Sequence, residues 1–208
     1  MMLTSYEDPA LRSVQIEDFS DIQYRGFIEG FYGGWDYKSR ESLMRFARDV
    51  KMNHYIYASK TDPYHTSKWG ELYPQSEIDQ IQKLVKVGEE TKCYYTWSVH
   101  ISGFFTNLDT SNETAYNERY QKLLAKFRQL YDAGVRKFDI LNDDFGQGTH
   151  EDVVNLLNKL TKEFIIPNNC KPITYCMQGY NKAWSKEAEL SALKNLTSQL
   201  SYIGQVMT

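Results

Sequence analysis

Apolar and polar positions along this chain alternate between two periods. Short runs of aromatic and β-branched residues give way to longer stretches in which apolar side chains recur every three or four positions, a strand-then-helix reading. The first strand is expected at 24–29, followed by a loop of glycines and aromatics, Gly30-Phe31-Tyr32-Gly33-Gly34-Trp35. A helix is expected at 39–50, with Leu43, Phe46, Ala47 and Val50 on its apolar face. A second strand at 54–58 runs into a polar loop carrying Lys60, Asp62, Pro63, Tyr64, His65 and Trp69, the last read as loop packing. The next helix, 77–90, has Ile78, Ile81, Leu84 and Val85 in its stripe, and Ser76 with Asp79 reads as its capping box.

The alternation continues with a strand at 93–99, a loop rich in Phe and Asn, and a helix at 115–133 closed by Gly134. A strand at 135–141 precedes a helix at 151–164 that Thr149 and Asp152 cap. A strand at 173–177, a helix at 186–200 and a strand at 202–207 complete the pattern. Residues 1–23 are polar and weakly patterned and read as a linker or leader, which leaves 24–208 as the folded unit. Strict alternation implies a parallel α/β sheet of about five to six βα units. Spacing alone fits either an open doubly wound sheet or part of a (β/α)8 barrel, which needs eight strands and typically ~250 residues.

Composition narrows the class. At 208 residues, 41% hydrophobic, the chain builds one sizeable core. A net charge of −3 without a Lys/Arg block gives no nucleic-acid footprint. No apolar run reaches membrane-spanning length. The first 30 residues lack a basic start followed by an apolar stretch, so no signal peptide is visible. Cys93, Cys170 and Cys176 show no CxxC spacing and read as buried small hydrophobes. His54, His65, His100 and His150 show no ligand spacing, so neither metal nor cofactor is expected. Aromatic residues reach 14%, which fits an aromatic core or platforms for stacking sugars.

The candidate chemistry collects where strands end. Gly30 and Tyr32 follow the first strand, Lys60 and Asp62 the second, Asp143 and Asp144 the fourth, and Tyr180 and Asn181 the fifth. In a parallel sheet these points share one rim, where barrel and open-sheet enzymes keep their chemistry. Each has an ordinary alternative: Lys60 as a solvated loop lysine, Tyr180 as a core aromatic, Asp143-Asp144 as acids favoured before a helix. Two carboxyls side by side resist joint ionisation, which raises one pKa and divides acid from base.

Three segments carry a family resemblance. Arg25-Gly26-Phe27-Ile28-Glu29-Gly30-Phe31-Tyr32-Gly33 resembles the opening strand motif of glycoside hydrolase family 84, the O-GlcNAcase-like and hyaluronidase-like β-N-acetylglucosaminidases. The stretch from Lys51 through Lys60 to Asp62-Pro63-Tyr64-His65 resembles its second motif, and Gly134-Val135-Arg136-Lys137-Phe138 leading to Asp143-Asp144 its third. Asn142 departs from the family's apolar or aromatic residue before the aspartates, and Gly33-Gly34-Trp35 from a residue-Pro-Trp pattern. The surroundings of Tyr180 depart as well.

The resemblance implies a (β/α)8 TIM-barrel-type domain, only partly present here. It implies hydrolysis of terminal β-linked N-acetylglucosamine with retention, the sugar's own acetamido group acting as nucleophile. Position by position, Asp143 would hold the acetamide N–H and Asp144 would be general acid and then base. Tyr180, Lys60 and the backbone of Gly30 would bind the sugar. The expected partner is a GlcNAc-bearing glycan or glycoprotein, with self-association through exposed barrel edges. The linker-like start running into the barrel motif predicts a segment of a larger secreted or cell-surface bacterial protein. The rival reading is a glycan-binding module that turns nothing over.

Overall fold

The computed structural model describes residues 13, 15–143, 148–177, 183, 187, 191, 199–200 and 205–207. Its elements are β1 (Gly26–Glu29), α1 (Tyr37–Asp49), β2 (His54–Tyr57), α2 (Gln75–Thr91), β3 (Tyr94–His100), α3 (Ser102–Phe105), α4 (Glu113–Asp132), β4 (Phe138–Leu141), α5 (His150–Leu160), β5 (Thr174–Cys176) and β6 (Gln205–Met207). The expected helix at 186–200 falls largely outside the described residues.

Among the described residues the strands form one parallel six-stranded sheet in the order β1-β2-β3-β4-β5-β6. The order never reverses. A doubly wound sheet needs a reversal point with helices on both faces, whereas a barrel winds one way with helices outside. The packing agrees with the second pattern. Tyr55, Trp97, Val99, Phe138 and Ile140 face the helices and share a core with Met44, Ile81, Leu123, Phe127 and Leu156. Ile56, Ala58, Leu141 and Cys176 form a separate small cluster. The architecture is therefore a curled, partial barrel wall of parallel strands with its helices on one side.

Aromatic rings fill the core between sheet and helices. Trp97 is fully buried and meets Phe127, Phe138 and Tyr73 edge-on, while Phe127 and Phe138 stack at 4.6 Å. Much of the aromatic excess is thus core material. Cys93, Cys170 and Cys176 are buried.

Local signals hold at several helix ends. Thr149 and Asp152 form both halves of the expected capping box. Gly134 follows α4 with φ of 100°, a conformation glycine adopts without strain. The capping box expected at Ser76 does not form. Helix α2 starts two residues earlier, after Pro74, and Gln75 Nε2 donates to Asp79 Oδ1 instead. The buried stripe of α1 is Arg40, Met44 and Ala47, and Phe46 and Val50 are exposed. The helix is rotated from its apolar face because a buried carboxylate, Glu29, draws Arg40 inward. The Phe/Asn loop after β3 begins with the short helix α3, which no periodic pattern marks.

Candidate active site

Because the sheet is parallel, the carboxyl ends of the strands share a rim. Going round it, β1 ends at Glu29 before Gly30, and β2 leads through Ser59 to Lys60. Then β3 ends at His100, β4 leads through Asn142 to Asp143, and β5 ends at Cys176. Gly30, Lys60 and Asp143 therefore gather on one edge. Asp144 and Tyr180 lie outside the described residues.

Each rim loop has its own anchor. Glu29, fully buried, accepts from Arg40 Nε at 2.8 Å and Nη2 at 2.9 Å, from the Tyr55 hydroxyl, and from the Trp35 backbone N–H at 3.2 Å. The last contact folds the Gly30–Trp35 loop back over the end of β1. Burial alone would raise the Glu29 pKa, but the Arg40 and Tyr55 hydrogen bonds outweigh it and hold the carboxyl below its ordinary value. The loop after β2 is tied down through Asp62. Its Oδ2 accepts from the hydroxyls of Tyr57 at 3.0 Å and Tyr73 at 2.6 Å, and its Oδ1 from the Tyr64 N–H. Below it, the buried Lys126 donates to the carbonyls of Tyr64 at 3.0 Å and Lys68 at 2.9 Å. Trp69 is loop packing, its ring against Gly103 and Phe104.

His65 closes that loop onto β3. Its Nδ1 donates to the Ser98 carbonyl at 2.8 Å, and its own carbonyl accepts from the His100 N–H at 2.9 Å. Burial pushes the His65 pKa down to about 4, so the ring is neutral. His100 sits beside Asp143, with Nε2 3.4 Å from Asp143 Oδ1. The His100 imidazole, together with the charge of Lys60, holds the Asp143 carboxyl below the usual aspartate value. Asp143 is therefore an anion at neutral pH, suited to accepting an N–H rather than giving a proton.

The residue pattern overlooked His100 and the Glu29–Arg40 pair. His100 carries no ligand spacing, and its available signal was positional: it is the last residue of a strand on the same rim. A further buried ion pair, Lys137 Nζ to Asp139 Oδ1 at 3.0 Å, bridges alternate residues at the start of β4, away from the rim. Among the described residues no group of three or more His, Cys, Asp or Glu could hold a metal ion.

A one-way parallel sheet with carboxylate, lysine and histidines at its carboxyl rim has the layout of a barrel-type enzyme. Comparison with known proteins makes that class specific. The family model described as beta-N-acetylglucosaminidase (NAGidase) matches residues 25–207, and the chain belongs to that family. It is 29% identical over 120 residues to the Protein O-GlcNAcase of Rattus norvegicus and equally to that of Mus musculus. Those matches cover 57% of this chain and 12% of each relative. Among solved structures, CpGH84D superposes with a TM-score of 0.71 at 40% identity, covering 77% of this chain and 27% of that one. CpGH84B gives 0.76 at 32%, covering 88% and 33%. A mutant of the Thermobaculum terrenum O-GlcNAc hydrolase gives 0.72 at 23%, covering 88% and 40%, a likeness of fold. The chain thus spans well under half the length of these relatives.

Proposed function

We propose that this chain is the catalytic part of a β-N-acetylglucosaminidase that removes terminal β-linked N-acetylglucosamine with retention. The observation that carries this reading is Asp143: an aspartate at the carboxyl end of β4, in a chain of this family, with a pKa lowered by His100. Its anionic carboxylate accepts the substrate's acetamide N–H. The acetamide carbonyl oxygen then bonds to the anomeric carbon as the glycosidic C–O bond breaks, and Asp144 gives its proton to the leaving oxygen. Water opens the resulting oxazoline while Asp144 takes a proton back. Two inversions leave the anomeric configuration retained. No protein nucleophile is required, so two neighbouring aspartates suffice.

Lys60 and Tyr180 bind the sugar in this reading, as does the Gly30 backbone. The surroundings of Gly30 support its part. Among the described residues a methyl group built there meets only Ile28, at 3.8 Å, and no positive φ demands glycine. A bare backbone is thus not a need of the chain's own packing, but it suits close approach of a ligand. We take the complete barrel to be a (β/α)8 barrel and residues 1–23 to be a linker leading into it. The natural setting is a larger secreted or cell-surface bacterial protein acting on a GlcNAc-bearing glycan. Exposed sheet edges, with Ile28 on β1 44% exposed, favour self-association, which the oligomeric state in solution reports.

The test is release of a fluorescent phenol from its β-N-acetylglucosaminide by wild type, Asp143→Asn and Asp144→Asn. Both variants should lose about 10²- to 10⁴-fold, with Asp144→Asn losing less on activated leaving groups. A folded wild-type protein that binds N-acetylglucosamine without releasing the phenol would make it a glycan-binding module instead.

A further inference from the structure

We propose that His100 is a positioning residue for Asp143: held in one tautomer by Ser102, it points its Nε2–H at the carboxylate that serves the acetamide. This rests on the glycosidase reading of Asp143. The argument starts from Ser102, the first residue of α3, which turns back toward the end of β3. Its backbone N–H, which can only donate, lies 3.4 Å from His100 Nδ1, and its hydroxyl lies 3.0 Å from the same nitrogen. Nδ1 is therefore an acceptor, and in the neutral ring the proton sits on Nε2. Nε2 is the atom 3.4 Å from Asp143 Oδ1. Among the described residues no aligned hydrogen bond reaches that oxygen, which is buried, and the imidazole is the donor poised to reach it.

The ring cannot swing freely. His100 is 4% exposed, and its backbone N–H is tied to the His65 carbonyl at 2.9 Å. Among the described residues the charged and titratable groups around Asp143 are Lys60 and His65 from the loop after β2 and His100 from β3; Asp144 follows it in the sequence. Lys60 supplies charge, and His65 spends its Nδ1 proton on the Ser98 carbonyl. His100 thus combines a fixed tautomer, a buried ring and contact with Oδ1. Such an arrangement orients one lobe of the carboxylate and leaves the other for the substrate N–H, as partners of metal- or base-bearing side chains do elsewhere.

The test follows the Asp143 carboxyl directly by ¹³C NMR titration in wild type, His100→Gln, His100→Leu and Ser102→Ala, alongside pH profiles of kcat/KM. Gln places an amide N–H near the site of Nε2. In His100→Leu the Asp143 midpoint should move up, the acid limb of kcat/KM should move with it, and kcat/KM should fall about 10-fold or more. His100→Gln should recover most of each change, and Ser102→Ala should shift the midpoint slightly in the same direction. An unmoved midpoint in folded His100→Leu, or in Ser102→Ala if the leucine variant does not fold, overturns the inference. The titration needs no turnover. A midpoint that moves in His100→Leu while the wild-type protein hydrolyses no N-acetylglucosaminide supports the contact and sinks the glycosidase reading.

Discussion

Arg40→Met is the sharpest probe of how the first rim loop is held. Wild-type Glu29 is fully buried and surrounded by Arg40 Nε and Nη2, the Tyr55 hydroxyl and the Trp35 N–H. The methionine keeps much of the side-chain volume but removes both charged donors and leaves a buried carboxylate with two neutral ones. Breaking a buried pair in this way costs about 3–5 kcal/mol, a large part of a domain's stability. For a chain of this length that corresponds to a Tm lowered by about 10 °C. The sign with pH is fixed. In wild type the folded Glu29 pKa is depressed, so its contribution is present above the unfolded value and lost as pH falls through the folded one. In the variant, burial without Arg40 raises the folded pKa, so the penalty grows as pH rises above the unfolded value. The gap between the two proteins should therefore be wide at pH 7, narrow toward pH 4.5 as the variant's penalty disappears, and close only as pH falls through the depressed wild-type pKa. Urea denaturation of both proteins at these two pH values measures it. A loss below about 1 kcal/mol at pH 7, or a gap no smaller at pH 4.5 than at pH 7, would refute the argument.

Two glycines in one motif should behave oppositely. A Cβ at Gly26 would lie 1.8 Å from the His54 carbonyl oxygen, so Gly26→Ala should force β1 from β2 and cost 1–3 kcal/mol or more in urea melts. Gly30→Ala meets no such obstacle. It should melt like wild type yet show a raised KM for the aryl glycoside, and an unchanged KM would remove Gly30 from the sugar site. Lys126 is fully buried, and burial pushes its pKa down to about 7. Between pH 7 and 9 the unfolded chain binds the extra proton, so wild-type stability should gain up to about 1.4 kcal/mol per pH unit from this group. Lys126→Met should lack that slope, and parallel pH profiles for the two proteins would contradict the assignment.

Much of this protein is legible in its sequence, because many signals are local. The change of period from strand to helix depends on residues three or four apart. So does the Thr149–Asp152 capping box, and Gly134 marks a helix end by its own backbone freedom. The parallel sheet follows from the alternation, and the rim position of Gly30, Lys60 and Asp143 follows from the parallel sheet. Tertiary structure decided what depends on distant partners. Whether the strands wind one way or reverse is a matter of which strand pairs with which, and no single βα unit encodes it. The rotation of α1 was set by Glu29 on another element, since a buried carboxylate must find its cation. Helix α2 begins after Pro74 rather than at the capping box Ser76 offers. His100 acquires its meaning only when β3 and β4 lie side by side and bring its Nε2 to Asp143, because a hydrogen bond acts over about 3 Å of space whatever the separation along the chain.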